Sequence, residues 1–220
     1  MSKQKIDKLF RQLKENSEFK TWKDLPADFF KETSLLTSEE ALVLAGQLWK
    51  LKDHRFLYTA VFMLRKHPNA FDDINWKVLE PLGDLIDSWG AVDLFAYLAG
   101  PAWRAGQLSD DQVLKWTESE NRWWRRAALV CTVFLNRKAQ GGTGDTNRTL
   151  AVCERLVDDR DKMVVKALSW ALRELVKTDS QAVVRFLQKY ESRLPSLVRR
   201  EVRNKLTTGV KNLRRKKDKG

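Results

Sequence analysis

The chain is poor in the residues that most metal and redox chemistry requires. Its 220 residues include two cysteines, Cys131 and Cys153, and two histidines, His54 and His67. Both cysteines fall in helical patterns and make no disulfide framework, so they read as reduced, inert core thiols. The four residues lack metal-ligand spacing, which argues against a zinc site. Glycine and proline are scarce, at ten and five. The one flexible cluster is Gln140-Gly-Gly-Thr-Gly-Asp145, expected as a surface loop between two helices. No apolar run approaches the ~18–20 residues that span a bilayer. Met1 to Phe10 alternates charge with apolar positions at helical spacing, unlike a secretory signal. Period-two runs and Asn-Gly or Asp-Gly hairpin turns are missing, which leaves no case for a sheet. There is no Gly-rich phosphate loop and no Ser-His-Asp set, and no cofactor is called for.

Positive charge, tryptophan and helical periodicity are what the chain has in excess. Lys plus Arg number 41 against 29 Asp plus Glu, a formal charge of +12, and there are nine Trp. Such a chain attracts polyanions before making any specific contact, and each neutralised phosphate of a nucleic acid releases a counterion. Residues 211–220 form a basic tail whose six bases and one acid supply +5 of that charge, so the body over 1–210 keeps +7. That body is expected to be a single domain. Hydrophobic residues make up 43%, enough for a sizeable core.

Apolar stripes at helical spacing run almost throughout. Ala41, Leu44, Ala45, Leu48 and Trp49 follow the capping box Thr37-Ser-Glu-Glu40. Ser109-Asp-Asp-Gln112 opens a helix carrying Val113, Leu114 and Trp116. Further helices fit ~121–137, ~146–157, ~161–177, ~180–190 and ~196–213. Arg126-Ala-Ala-Leu129 and Lys166-Ala-Leu-Ser169 stand 40 residues apart, a period typical of HEAT-like helical pairs. The expected fold is all-α: a solenoid of stacked antiparallel helix pairs with a concave basic surface.

Three segments carry possible chemistry. In Ser88-Trp-Gly-Ala-Val-Asp93, Trp89 and Asp93 are four apart and share a helix face. Gly90 there suggests a helix start or a close approach, and Asp93 could equally be a plain ion-pair partner. In Asn121-Arg-Trp-Trp-Arg-Arg126, Arg122 and Arg126 share a face with Arg125 beside them. This row suits a phosphate backbone or a solvated helix face. Trp123 and Trp124 head adjacent core stripes, so at least one should be structural. From Lys162 to Lys177, Trp170 stands in a row with Lys166, Arg173 and Lys177, away from the main apolar stripe. It either faces a ligand or packs under the cationic stems.

At these segments the chain resembles the AlkD family of DNA glycosylases, built from HEAT-like repeats. Trp89-Gly-Ala-Val-Asp93 matches a Trp-x-x-Val-Asp phrase. Asn121 through Ala128 matches Asn-x-Trp-x-x-Arg-Ala-Ala, which singles out Arg126. Trp170-Ala-Leu-Arg-Glu174 matches Trp-x-Leu-Arg-Glu. The resemblance covers roughly residues 45 to 205, and the first forty residues depart from the pattern. It implies a monofunctional glycosylase that hydrolyses the N-glycosidic bond of cationic N3- or N7-alkylated purines in duplex DNA, working as a cytoplasmic, nucleoid-associated monomer without metal or cofactor. Asp93, Trp89, Trp170 and Arg126 would be its catalytic set, with Arg122, Arg125, Lys166, Arg173 and Lys177 on the DNA. The alternatives are a non-catalytic DNA-binding module and a protein-binding scaffold of the same repeats.

Overall fold

Short polar side chains start most of the helices in the computed structural model, which describes residues 2–15, 19, 24–25 and 27–212. The first helices are α1 (Ser2–Glu15), α2 (Ala27–Ser34), α3 (Ser38–Lys50), α4 (His54–Lys66), α5 (Trp76–Gly83) and α6 (Trp89–Arg104). Then come α7 (Asp110–Trp116), α8 (Arg122–Asn136), α9 (Thr146–Arg155), α10 (Lys162–Leu175), α11 (Ser180–Lys189) and α12 (Ser196–Thr208). No strand occurs among the described residues. Thr37, Asp53, Asn75, Ser88, Asn121, Asp145, Asp161 and Asp179 each accept a hydrogen bond from an amide in the first turn of the helix they precede. Each satisfies a donor that the helix start would otherwise leave open. The capping box of α3 is complete: the Glu40 amide donates to Thr37 Oγ1 at 3.2 Å and the Thr37 amide to Glu40 Oε2 at 2.9 Å.

The chain divides into two compact units, Met1–Ser109 and Asp110–Gly220. In the first, α3 packs on α4 and α5, and α4 and α5 both pack on α6. In the second, α8, α10 and α12 form one row and α7 and α9 pack beside it. Within each unit this is the pair-on-pair packing of a helical solenoid. Ala127 and Ala128 on α8 and Ala167 and Ala171 on its neighbour α10 are fully buried. Both cysteines are fully buried too, and burial pushes their thiols up. They are the inert core thiols expected.

Polar bonds tie each repeat to the next. In the first unit the Trp49 indole donates to the Leu82 carbonyl at 2.9 Å. His67 is a structural residue: Nε2 meets the Leu36 carbonyl at 2.9 Å, and Nδ1 accepts from the Asn69 and Ala70 amides. In the second unit, Arg148 bonds Asp110, Arg155 bonds Glu118 and Lys189 bonds Glu154, at 2.7, 2.6 and 2.8 Å. Their separations of 38, 37 and 35 residues match the helical-pair period seen in the sequence.

Three expected boundaries move. α9 stops at Arg155, and α10 stops at Leu175, so Lys177 lies beyond its helix. α12 stops at Thr208, because Gly209 adopts a left-handed φ of 74° that ends the helix. The Gln140–Asp145 loop is tightly held. The Gly142 amide donates to the Arg137 carbonyl and the Gly144 amide to the Leu135 carbonyl, both at 3.0 Å. A Cβ on Gly142 would sit 2.7 Å from backbone atoms of Leu135 and Arg137. The basic tail falls mostly outside the described residues.

Candidate active site

The first unit carries Trp89 and Asp93. The Ser88 hydroxyl caps α6 by accepting from the Ala91 amide at 3.3 Å. This cap sets Trp89 as the first helical residue, and 57% of it is exposed. Asp93, one turn on, is half-buried on the same helix face. The remainder of α6 explains why that face is open: Ala91, Val92, Leu94, Phe95, Leu98 and Ala99 are buried. Gly90 falls in the first turn of the helix, and a Cβ there would meet the His54 ring at 3.5 Å, an ordinary contact distance, so no close approach demands glycine.

The second unit carries the other residues of the expected set. Arg126 is on the inward side of α8, only 5% exposed, and its Nη1 donates to the Met163 carbonyl at 2.9 Å. That bond joins α8 to the first turn of α10. Trp124 is the structural tryptophan, buried with its ring centroid 5.0 Å from that of Trp116. Trp123 is half-buried, with the Arg122 guanidinium 4.8 Å over its ring. Trp170 is half-buried on α10, and Lys166, one turn before it, is exposed.

The cations expected on DNA have unequal surroundings. Arg125 is deeply engaged: its Nε donates to Asp159 Oδ2 at 2.7 Å and its Nη1 to the Ser119 and Glu120 carbonyls at 2.8 Å. Arg173 donates to Ser169 Oγ at 3.2 Å and lies 3.7 Å from Glu201. Burial lowers the affinity of its guanidinium for a proton, with Glu201 and Glu174 opposing. Lys177 pairs with the buried Glu174 at 2.6 Å. Arg122 pairs with Asp161 at 3.3 Å while remaining half-exposed. Burial pushes the Asp161 carboxyl up, but the Met163 and Val164 amides and Arg122 hold it below the usual range.

Beside Trp89 and Asp93 stand residues that the sequence reading passed over. His54, Tyr58 and Phe62 lie on α4, spaced by four, with successive ring centroids 5.6 and 4.8 Å apart. Their spacing was visible in the sequence; their position beside α6 comes from packing. Among the described residues no group of three or more His, Cys, Asp and Glu could hold a metal ion. None of the described helices is long and apolar enough to cross a membrane.

No curated protein matches the chain. The family profile described as DNA alkylation repair enzyme matches residues 18–206. The match includes α2 and α3, so the departure expected for the first forty residues narrows to the region of α1. Covering most of the sequence, this match places the chain in the DNA alkylation repair enzyme family.

Proposed function

We propose that the protein is a monofunctional DNA glycosylase that releases cationic N3- and N7-alkylated purines from duplex DNA. One observation carries the reading: an exposed indole and a half-buried carboxylate share one face at the start of α6. Membership of a DNA alkylation repair family supplies the substrate class.

Alkylation at N3 or N7 makes the purine cationic, so it leaves as a neutral base carrying the glycosidic electron pair. No strong general acid is needed. Positive charge develops on the deoxyribose, and a fixed carboxylate beside the sugar stabilises it; preorganised charge of this kind is often the largest catalytic contribution. Asp93 takes that role and orients the water that adds to C1′. The water's proton passes to solvent and an abasic site remains. Trp89 packs against the lesion nucleotide and attracts its cation through its ring face, worth ~0.5–2 kcal/mol; Trp170, in the second unit, offers a half-buried indole to the DNA. Arg126, 5% exposed and bonded to the Met163 carbonyl, acts by positioning the first turn of α10.

Lys166 and Arg122 have the exposure that phosphate contact needs. Arg125 and Arg173 contribute positive potential while bridging elements, and Lys177, half-exposed and paired with Glu174 just before it in the chain, adds to it. The enzyme works as a cytoplasmic monomer. Incubation with methylated duplex DNA, followed by chromatography of the freed bases, tests the reading. It expects 7-methylguanine or 3-methyladenine in the soluble fraction. Salt-dependent binding with no released base would instead identify a passive DNA-binding module.

A further inference from the structure

Helix α12 ends at Gly209, whose left-handed φ of 74° turns the chain back on itself. Three bonds then fix where the chain goes. Lys205 Nζ donates to the Gly209 carbonyl, Asn204 Nδ2 donates to the Lys211 carbonyl at 3.1 Å, and Lys211 Nζ reaches Glu201 Oε1 at 3.2 Å. The Lys211 ammonium is thus drawn back by about two helical turns from the end of α12. Glu201 is only 5% exposed and faces α10: its Oε2 accepts from Ser169 Oγ at 2.6 Å and lies 3.7 Å from Arg173 Nε. One buried carboxylate therefore joins α10, α12 and the chain that follows the last helix.

This anchor stands among cations. Arg173 is three residues from Trp170, a spacing that makes them neighbours on α10, and Lys166 is exposed one turn before Trp170. On α12, the exposed Arg200 lies one turn before Asn204 and shares its face. The chain leaving the anchor carries Arg214, Arg215, Lys216, Lys217 and Lys219 against Asp218 alone, five bases and one acid over residues 213–220, which lie outside the described residues. Bases set this densely repel one another, and a polyanion relieves that repulsion. A segment of this length extends to ~26–29 Å at most, enough to meet several phosphates of a duplex, whose charges recur every ~1.7 Å along its axis. A plain solvated end needs no fixed root. Here the root is tied to a buried carboxylate, which is stable only with its cations in place.

We propose that residues 213–220 form a phosphate-binding arm, rooted by the Lys211–Glu201 pair at the seam of α10 and α12 and laid on the duplex backbone that Lys166 and Arg200 also meet. Lys211 is a positioning residue, and the five bases beyond it make the contacts. The proposal rests on duplex DNA as the partner and on α10 facing it, and not on base release.

The test uses the full chain, with binding to an undamaged duplex measured from about 50 to 200 mM salt. Arg214→Gln, Arg215→Gln, Lys216→Gln, Lys217→Gln and Lys219→Gln together are expected to lower the slope of log K against log salt by about 3 to 4. A slope equal to the parent's would overturn the arm. Lys211→Gln keeps those bases but frees their root. It should cost about fivefold more affinity than Lys115→Gln, the same charge change at an exposed lysine of α7. Once the five bases are neutral the two lysine changes should cost the same, since Lys211 acts through them. Lys211→Arg should bind like the parent. Equal losses for Lys211→Gln and Lys115→Gln with the tail intact would overturn the anchor. Base release from methylated duplex is followed in parallel. If the parent releases no base while the five-glutamine variant still shows the lowered slope, the glycosylase reading fails and the arm stands.

Discussion

Arg125 Nε donates to Asp159 Oδ2 at 2.7 Å, joining α8 to the turn before α10 across 34 residues. Asp159 in turn accepts from the Asp161 amide at 2.8 Å, so this pair also sets the cap of α10. An arginine that resembles a phosphate contact in sequence is thus an inter-repeat brace. Arg125→Ala leaves a largely buried carboxylate without its guanidinium and should destabilise the protein by about 2–4 kcal/mol. Chemical denaturation checks this. Duplex binding measured well below the melting point should fall far less than it does in Lys166→Ala.

Gly142 is a second structural determinant. A Cβ would press on backbone atoms of Leu135 and Arg137 at 2.7 Å, where no flexible side chain can yield. Gly142→Ala should therefore destabilise by about 1–3 kcal/mol, the usual range for overpacking. Gly209→Ala strains a left-handed residue after α12 without any clash. Its effect should be smaller, about 1 kcal/mol. Paired thermal melts give the comparison.

Acid should weaken the fold through its paired carboxylates. Lys189 and Tyr190 bonded to Glu154 hold its carboxyl below the usual range, and the Ala182 amide and Thr146 do the same for Asp179. A carboxyl whose folded pKa is lowered contributes its full stability above its unfolded value. That contribution disappears as the pH falls through the lowered folded value. Melting temperature should hardly respond to these groups from pH 8 to about pH 5, then drop below the ordinary carboxylate range near 4. Glu154→Gln and Asp179→Asn should each flatten part of the drop.

How far the sequence could be read depends on the distance between partners. The Trp89–Asp93 face was legible because both residues lie on one helix, where a spacing of four is enough. The Thr37 capping box and the buried cysteines were legible for the same local reason. Arg125 was not, because its partner is one repeat away and only packing brings Asp159 to it. The Gln140–Asp145 loop was legible as a connection between two helices, but not that Gly142 supplies a close backbone approach, which depends on where the chain folds back on Leu135 and Arg137. The rings of α4 had a visible spacing, but their register against α6 depends on the His54–Gly90 and Phe62–Tyr97 contacts.

The central claim is that the Asp93 carboxylate drives release of a cationic purine. Single-turnover rates of 7-methylguanine release from methylated duplex DNA, for the parent and for Asp93→Asn, test it most directly. The account predicts measurable release by the parent and a fall of about a hundredfold or more in the variant, with duplex affinity little changed. Equal rates in the two proteins would contradict it.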